Sequence, residues 1–167
     1  MSIFSRLFGK ADSGKDNGTS PFVQEQGETS LKARHSRTSA VSLSPQEQVN
    51  YFREILTSEF PQYTLRENVA VAELVGDAND TFKLYKRRPY QAYKAEWGEP
   101  YTFVLYNGEN LAGIVMLGGK GSHCDNVKFL ISRVYAKKLG IPYIGFYTNM
   151  ANEIGYVVKR LADNLNK

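Results

Sequence analysis

Two apolar runs separated by a turn dipeptide mark the middle of the chain. The first run covers Tyr101 to Tyr106, the second covers Leu111 to Leu117, and Asn107-Gly108 lies between them. Asn-Gly tolerates a positive φ at both central positions of a tight turn, so this pattern predicts a β-hairpin. Because residues 114–117 are apolar at every position, we expect the second strand to be central in its sheet.

A helix is predicted well before this hairpin. Ser44, followed by Pro45 and Glu47, matches a capping box with proline at the first helical position. Apolar residues then recur at helical spacing until Pro61, which cannot continue a helix. These apolar residues are Val49, Phe52, Ile55, Leu56 and Phe60.

A second helix is predicted from Asp125 to Leu139. Gly140 stands where a left-handed capping residue belongs, and Pro142 prevents the helix from continuing. The residues expected to face the core are Val127, Leu130, Ile131 and Val134, and those expected to point away are Lys128, Ser132 and Lys137.

The remaining elements complete an α/β pattern. Tyr63 to Val75 predicts one strand or two short ones, and Tyr143 to Tyr147 predicts a short buried strand. A last helix follows, which Thr148 and Asn149 can cap. This order predicts a mixed β-sheet flanked by helices, in which the strands on either side of the Asp125 helix are parallel.

The first 41 residues differ in composition from the rest. Residues 1–10 predict a short amphipathic turn, which would give only weak contact with a membrane surface. Residues 11–41 are rich in Ser, Gly, Thr and Gln without periodicity. We therefore expect a disordered tail over residues 1–41 and a single domain over residues 42–167.

Charge and cysteine content narrow the class of protein. The net charge of +4 and the pI of about 9.1 permit an anionic partner without requiring one. Cys124 is the single cysteine, so no internal disulfide can form, which fits a reducing cytoplasm. The chain has no apolar run of about 18 residues, so no transmembrane helix is predicted.

A glycine-rich turn follows the second apolar run. Ligands in α/β proteins usually bind at the carboxyl ends of the strands, so the turn is a candidate site. One interpretation is a phosphate-binding turn made of backbone N–H groups and a lysine. The alternative is a tight turn with a solvated lysine. The residues are Gly119, Lys120, Gly121, Ser122 and His123.

Cations and tyrosines alternate in the segment Lys83 to Lys94, within a long stretch, residues 76–100, that we expect to be functional or partly structured. Cations pair with phosphates and aromatic rings stack on bases, so the segment predicts a nucleic-acid surface. The alternative is a solvated basic loop whose tyrosines pack on the sheet. The predicted contact residues are Lys83, Lys86, Arg87, Arg88, Tyr90, Tyr93 and Lys94.

The element order and several phrases of the sequence resemble the restriction-endonuclease-like, PD-(D/E)XK, nucleases, in particular a bacterial branch that includes very-short-patch-repair-like enzymes. The phrases are SPQEQVNYFREIL from Ser44, YTFVLY from Tyr101, residues 114–123, and LGIPYIGF from Leu139. The resemblance covers roughly residues 42–165 and implies an αβββαβα core.

The resemblance also implies where catalytic groups would stand. Thr102 occupies the position of the family's first aspartate, and Val115 and Leu117 fall in the phrase that carries its further ligands. Mg²⁺ requires hard oxygen ligands, which valine and leucine do not provide. His123 matches the histidine that acts as a base in very-short-patch-repair-like enzymes. The resemblance therefore implies a domain without catalysis, metal or cofactor, whose partner is nucleic acid or another protein.

Two alternatives remain open at this point. A metal-dependent nuclease with relocated carboxylates would use Glu47, Glu67, Glu109 or Asp125. A protein-interaction or structural module would show an exposed apolar patch at the sheet edge and no basic surface.

Overall fold

The computed structural model describes residues 43–166 except 86, 88–89, 120 and 123–125. The predicted amphipathic turn and disordered tail therefore lie outside the described residues, as do Lys86, Arg88, Lys120 and His123. In chain order, the elements are α1 (Pro45–Glu59), β1 (Thr64–Val69), α2 (Val71–Val75), β2 (Asn79–Phe82), β3 (Gln91–Lys94), a 3₁₀ turn (Ala95–Trp97), β4 (Tyr101–Asn107), β5 (Asn110–Gly118), α3 (Val127–Lys138), β6 (Tyr143–Tyr147) and α4 (Ile154–Leu165).

The capping box at the start of α1 is confirmed. The Ser44 side chain accepts a hydrogen bond from the Glu47 N–H at 3.3 Å, and the Glu47 carboxylate accepts one from the Ser44 N–H at 2.7 Å. Both bonds satisfy amide donors that a helix start otherwise leaves without partners. The helix ends at Glu59, shortly before Pro61.

The main sheet has the strand order β1-β4-β5-β6. The β4–β5 hairpin is confirmed, with Gly108 at a positive φ of 62° in the turn. β5 lies between β4 and β6, as its apolar sequence predicts, and it pairs with β6 in parallel. The fold is thus α/β, with a mixed four-stranded sheet, a separate β2–β3 hairpin and four helices in the described chain.

Residues 71–97 form an insertion between β1 and β4. The prediction of extended structure up to Val75 is wrong, because Val71–Val75 is helical and ends at Gly76, whose φ is +77°. A five-residue segment with four apolar residues does not distinguish strand from helix by its pattern, and here Val71 is buried in the core. The expectation that residues 76–100 carry some structure is confirmed by the β2–β3 hairpin.

The sheet separates two apolar clusters. One cluster joins the sheet to α1 and α4 and includes Phe52, Phe103, Val115 and Leu161. The other joins the sheet to α3 and the insertion, with these members among others: Val104, Ile114, Met116, Ile131 and Tyr135. The insertion is therefore part of the core rather than a loop on its surface.

The buried face of helix α3 agrees only in part with the prediction: Ile131 is buried and Lys128 and Lys137 are exposed, as expected. Val127 is exposed, whereas Ser132, predicted to point away from the core, is fully buried. The Ser132 hydroxyl donates to the Glu99 carbonyl at 2.6 Å and lies 3.0 Å from the Lys128 carbonyl. Because the insertion supplies a carbonyl acceptor, a polar residue can be buried at this position. Gly140 has a φ of +71°, which confirms the predicted left-handed residue after α3.

The predicted cap of the last helix is wrong. Helix α4 begins at Ile154 after Glu153, not at Thr148 or Asn149. The Thr148 N–H donates instead to the Gly118 carbonyl at 2.8 Å, which prolongs the contact between β5 and β6. Across the described ranges, no helix has the length and apolar character needed to cross a membrane.

Candidate nucleic-acid interface

The outer side of α3 forms one wall of a groove of about 650 Å³, called here the cationic groove. Three basic side chains line it: Lys83 from the insertion, and Arg133 and Lys137 from α3. The described residues that line the groove include no carboxylate. Its apolar lining comes from Leu84, Leu130, Val134, Ile141 and Pro142.

The three cations of this groove make no ion pair with any described residue. Lys138, the next residue after Lys137, differs from them. Its Nζ lies 2.9 Å from the Asp80 carboxylate and 5.2 Å from the centre of the Phe82 ring. The hydrogen bond from Lys138 holds the pKa of Asp80 below its ordinary value. Neighbouring lysines on α3 thus have distinct surroundings, one bound within the protein and one free to meet a ligand.

The insertion is attached to α3 by aromatic and polar contacts, which place Lys83 beside the helix. The Phe82 ring stacks on Tyr93 with centroids 4.6 Å apart and meets Tyr135 edge-on at 6.1 Å. The Tyr135 hydroxyl donates to the carbonyls of Ala78 and Tyr93, at 3.2 and 3.3 Å. Since Lys83 directly follows Phe82, these contacts bring its charge to the groove.

The cationic groove lies far from the predicted glycine-rich turn. Pro142 and Tyr143 line the groove at the start of β6, whereas the turn follows Gly118 at the end of β5. Tyr143 pairs with Ile114, four residues before Gly118, which corresponds to about 13 Å along the strand. The cationic groove therefore lies toward the amino ends of the parallel strands, not at the carboxyl ends where the sequence places the candidate site.

The described part of the turn is folded on itself. The Ser122 N–H donates to the Gly119 carbonyl at 3.0 Å, and Gly121 has a φ of +86°. At Gly118 an added Cβ would lie 2.9 Å from the Phe129 ring, so the strand end needs glycine there. Phosphate binding by this turn stays a prediction, since Lys120 and His123 lie outside the described residues.

The predicted nucleic-acid residues fall into separate groups. Arg87 is exposed, and Tyr90 is 76% exposed. Lys94 pairs with Glu96 at 3.2 Å. Tyr93 is only 4% exposed and its ring stacks on Phe82, so little of the ring is open to a base in this structure. Its place in the core agrees with the alternative interpretation, in which tyrosines of the segment pack inside the fold.

A second groove of about 530 Å³, called here the aromatic groove, lies at the first turn of α3. Tyr85 and Trp97 line it with exposed fractions of 42% and 47%. Val127, Lys128 and Glu96 also contribute. Trp97, Arg133 and Lys137 were not predicted from the sequence, and Tyr85, although it lies within the basic aromatic segment, was not among the predicted contact residues. Helix α3 contains four basic residues and no acidic residue, and this charge bias is the sequence signal that could have indicated a surface for an anionic partner.

Two of the four acidic residues that a relocated nuclease site would use, Glu47 and Glu67, have other partners. Glu47 accepts the capping bond at Ser44, and Glu67 accepts a hydrogen bond from Arg53 at 2.7 Å, which lowers the pKa of Glu67. In the described ranges, no three His, Cys, Asp or Glu side chains cluster closely enough to hold a metal ion. Asp125 lies outside these ranges.

The positions that match the ligands of the resembled nucleases serve the packing of the hairpin. The Thr102 hydroxyl accepts a hydrogen bond from the Leu117 N–H at 3.0 Å, and Val115 is fully buried. Comparison of the chain with protein-family models, curated proteins and solved structures finds no match in any of the three.

Proposed function

We propose that this domain binds nucleic acid, with the phosphate backbone held in the cationic groove. One observation carries the proposal: Lys83, Arg133 and Lys137 come from two different elements, line one groove and have no ion pair in the described chain. Lysine and arginine bind nucleic acid by neutralising phosphates and releasing condensed counterions. A groove with three free cations and no described carboxylate suits this type of contact.

The domain is proposed to be a non-catalytic relative of the restriction-endonuclease-like nucleases. When the insertion is set aside, the elements run α1, β1, β4, β5, α3, β6, α4, which is the order αβββαβα of that fold. Thr102, Val115 and Leu117 occupy the positions of the family's ligands. The hydrogen bond from the Leu117 N–H to Thr102 uses the one oxygen that these three side chains offer.

Salt dependence of binding tests the proposal. Affinity for labelled oligonucleotides is measured between about 50 and 200 mM salt, the range over which phosphate contacts weaken steeply. Each of Lys83→Gln, Arg133→Gln and Lys137→Gln is expected to reduce the slope of log K against log salt by about 0.7 to 0.9, and the triple variant by about 2 to 3. Arginine and lysine differ in geometry, so the loss of affinity itself need not be equal.

Lys159→Gln is the matched control. Lys159 is an exposed lysine on α4 whose removal changes the net charge equally, and it does not line the cationic groove. For Lys159→Gln, the slope of log K against log salt is expected to equal that of the wild type. Absence of binding to both single strands and duplexes at low salt, or an equal change in the control, would contradict the proposed function.

A further inference from the structure

Two large aromatic side chains remain half exposed in the aromatic groove. Trp97 is the only tryptophan of the chain, and Tyr85 comes from the basic segment. Val127, the exposed first residue of α3, adds to the same surface. Exposed aromatic surface gathered in one groove marks a binding site more often than single exposed apolar residues do.

Backbone contacts on both sides of Trp97 hold it against α3. The Gly98 N–H donates to the Ala95 carbonyl at 3.0 Å, and the Glu99 N–H donates to the Lys128 carbonyl at 3.2 Å. The Ser132 hydroxyl then donates to the Glu99 carbonyl at 2.6 Å. The tryptophan ring is therefore presented from a backbone that is fixed to a helix, which suits recognition of a flat partner.

The aromatic groove adjoins the cationic groove through the chain itself. Lys83 and Leu84 line the cationic groove, and the next residue, Tyr85, lines the aromatic groove. Helix α3 contributes to both, with its first turn in the aromatic groove and its second half in the cationic groove. From Val127 to Lys137 the helix rises about 15 Å. The α3 residues of the two grooves lie on different faces of the helix, so an extended chain that crosses α3 obliquely from its first turn toward Lys137 would contact both grooves.

The charges of the aromatic groove also favour an anion. Its one carboxylate, from Glu96, pairs with Lys94 at 3.2 Å. The Lys128 ammonium has no ion pair with a described residue. An unpaired cation beside two exposed rings is the combination that binds a phosphate and its base together.

We infer that the two grooves form one site for single-stranded nucleic acid, in which Tyr85 and Trp97 stack on unpaired bases. Lys128 contacts a phosphate beside the stacked bases, and the three cations of the cationic groove contact the phosphates that follow. The inference rests on the proposed function and narrows its ligand to single strands. In a duplex the bases stack on one another and offer no free face to an aromatic side chain. An apolar peptide or a second copy of the chain would use the aromatic rings but would not require cations nearby.

Fluorescence of Trp97 reports the predicted contact directly, because no other tryptophan contributes to the signal. The full-length protein is titrated with oligothymidine at low salt, and in parallel with a blunt duplex of the same length. Stacking is expected to quench the emission with the single strand, in proportion to binding, and to leave it unchanged with the duplex.

Substitutions separate stacking from phosphate contact. Tyr85→Ala is expected to weaken single-strand binding roughly five- to hundredfold. It should leave the salt slope unchanged, because no phosphate contact is lost. Tyr156→Ala removes an exposed tyrosine on α4 outside both grooves and is expected to bind as the wild type does. Trp97→Phe keeps a ring for stacking and should retain most of the affinity.

The outcomes distinguish this inference from the proposed function. Salt-dependent binding that persists, while Tyr85→Ala leaves single-strand affinity unchanged, overturns the inference and leaves the proposed function standing. Quenching by concentrated protein or by an apolar peptide, without quenching by single strands, also overturns the inference. Absence of all nucleic-acid binding at low salt overturns both.

Discussion

The cationic groove and the aromatic groove lie side by side on α3 but are built by different interactions. The cationic groove is lined by long basic side chains whose charged groups make no ion pair in the described chain. The aromatic groove stands on a close-packed joint between the insertion and α3, held by Ser132, Glu99 and Gly98. Affinity that comes from the cationic groove should fall as the salt concentration rises. Affinity that comes from the aromatic groove should fall when the packing between the insertion and α3 is disturbed.

This difference shows how one helix can serve both folding and binding. Exposed unpaired charges contribute little to the stability of a fold, so they are available to a ligand. Buried polar contacts such as that of Ser132 contribute to stability and fix the exposed rings above them. Substitutions in the two grooves should therefore have separable effects on stability and on affinity.

The largest effect is expected from Gly98→Ala, which disturbs the joint beneath the aromatic groove. An added Cβ would lie 2.6 Å from Val71 Cγ2, closer than real contacts allow, and 3.0 Å from Ser132 Oγ, which is a tight contact. We expect the free energy of unfolding to fall by about 1–3 kcal/mol, as in other overpacked cores. Urea unfolding followed by circular dichroism measures this loss.

Gly155→Ala is the matched control for that substitution. Gly155 lies in α4, where an added Cβ meets no atom within 4 Å, and alanine favours a helix more than glycine does. Its stability should be unchanged or raised by up to about 1 kcal/mol. Equal destabilisation in both variants would show that the close approach at Gly98 does not matter.

A smaller effect is expected from Tyr135→Phe, which removes the hydroxyl that joins α3 to the insertion. The free energy of unfolding should fall by about 1 kcal/mol, since the Ala78 carbonyl keeps a second donor, the Ala95 N–H. Tyr156→Phe, at an exposed tyrosine of α4, should change stability by less than half of that amount.

The stabilisation by Tyr135 should also depend on pH. Burial, followed by the hydrogen bond with Asp80, raises the pKa of Tyr135 from 10.0 to about 12. Because the folded state holds the proton more tightly, this stabilisation is complete below pH 10 and is lost as the pH rises toward 12. The difference in stability between wild type and Tyr135→Phe should shrink over that range. A difference that stays constant up to pH 12 would contradict the assignment.

The smallest effects on stability are expected from substitutions of two neighbouring lysines, Lys137 and Lys138, which should differ in their effect on binding. Lys138→Gln removes the ion pair with Asp80 and should lower stability by about 0.2–1 kcal/mol without changing nucleic-acid affinity. Lys137→Gln should leave stability unchanged and reduce the salt slope of binding by about 0.7 to 0.9. Thermal unfolding and salt-dependent binding of the two variants, measured together, test the assignment. Identical behaviour of the two lysines would remove the distinction between structural and ligand-binding charges.

Local sequence signals predicted the elements that depend on neighbouring residues. The capping box at Ser44, the β4–β5 hairpin and the left-handed Gly140 are each set by bonds within a few residues, and all are confirmed. The turn itself is displaced by one residue from the predicted Asn107-Gly108, because Asn107 pairs with Asn110 and leaves Gly108 and Glu109 at its centre. The cap predicted at Thr148 is wrong because α4 begins only at Ile154, while the Thr148 N–H continues the contact between β6 and Gly118 of β5. Short-range signals of this kind do not show where a strand contact ends and the next helix begins.

The candidate site was less accessible to sequence reasoning. Lys83 was among the predicted contact residues, but its position in the chain gives no indication that Arg133 and Lys137, some fifty residues later, line the same groove. Tyr93, chosen for the same reason as Tyr90, is buried because the β2–β3 hairpin brings its ring onto Phe82. A pattern of cations and aromatics does not specify which of them the insertion turns inward.

The sequence by itself determined the α/β class, the hairpin, the central position of β5 and its parallel pairing with β6. These follow from apolar periodicity and turn chemistry, which act over short distances. Only the tertiary structure decided that residues 71–97 pack on α3, that Ser132 faces inward, and that Lys83 joins Arg133 and Lys137. Those outcomes depend on which surfaces meet across the chain, because burial of a polar group requires a specific distant partner.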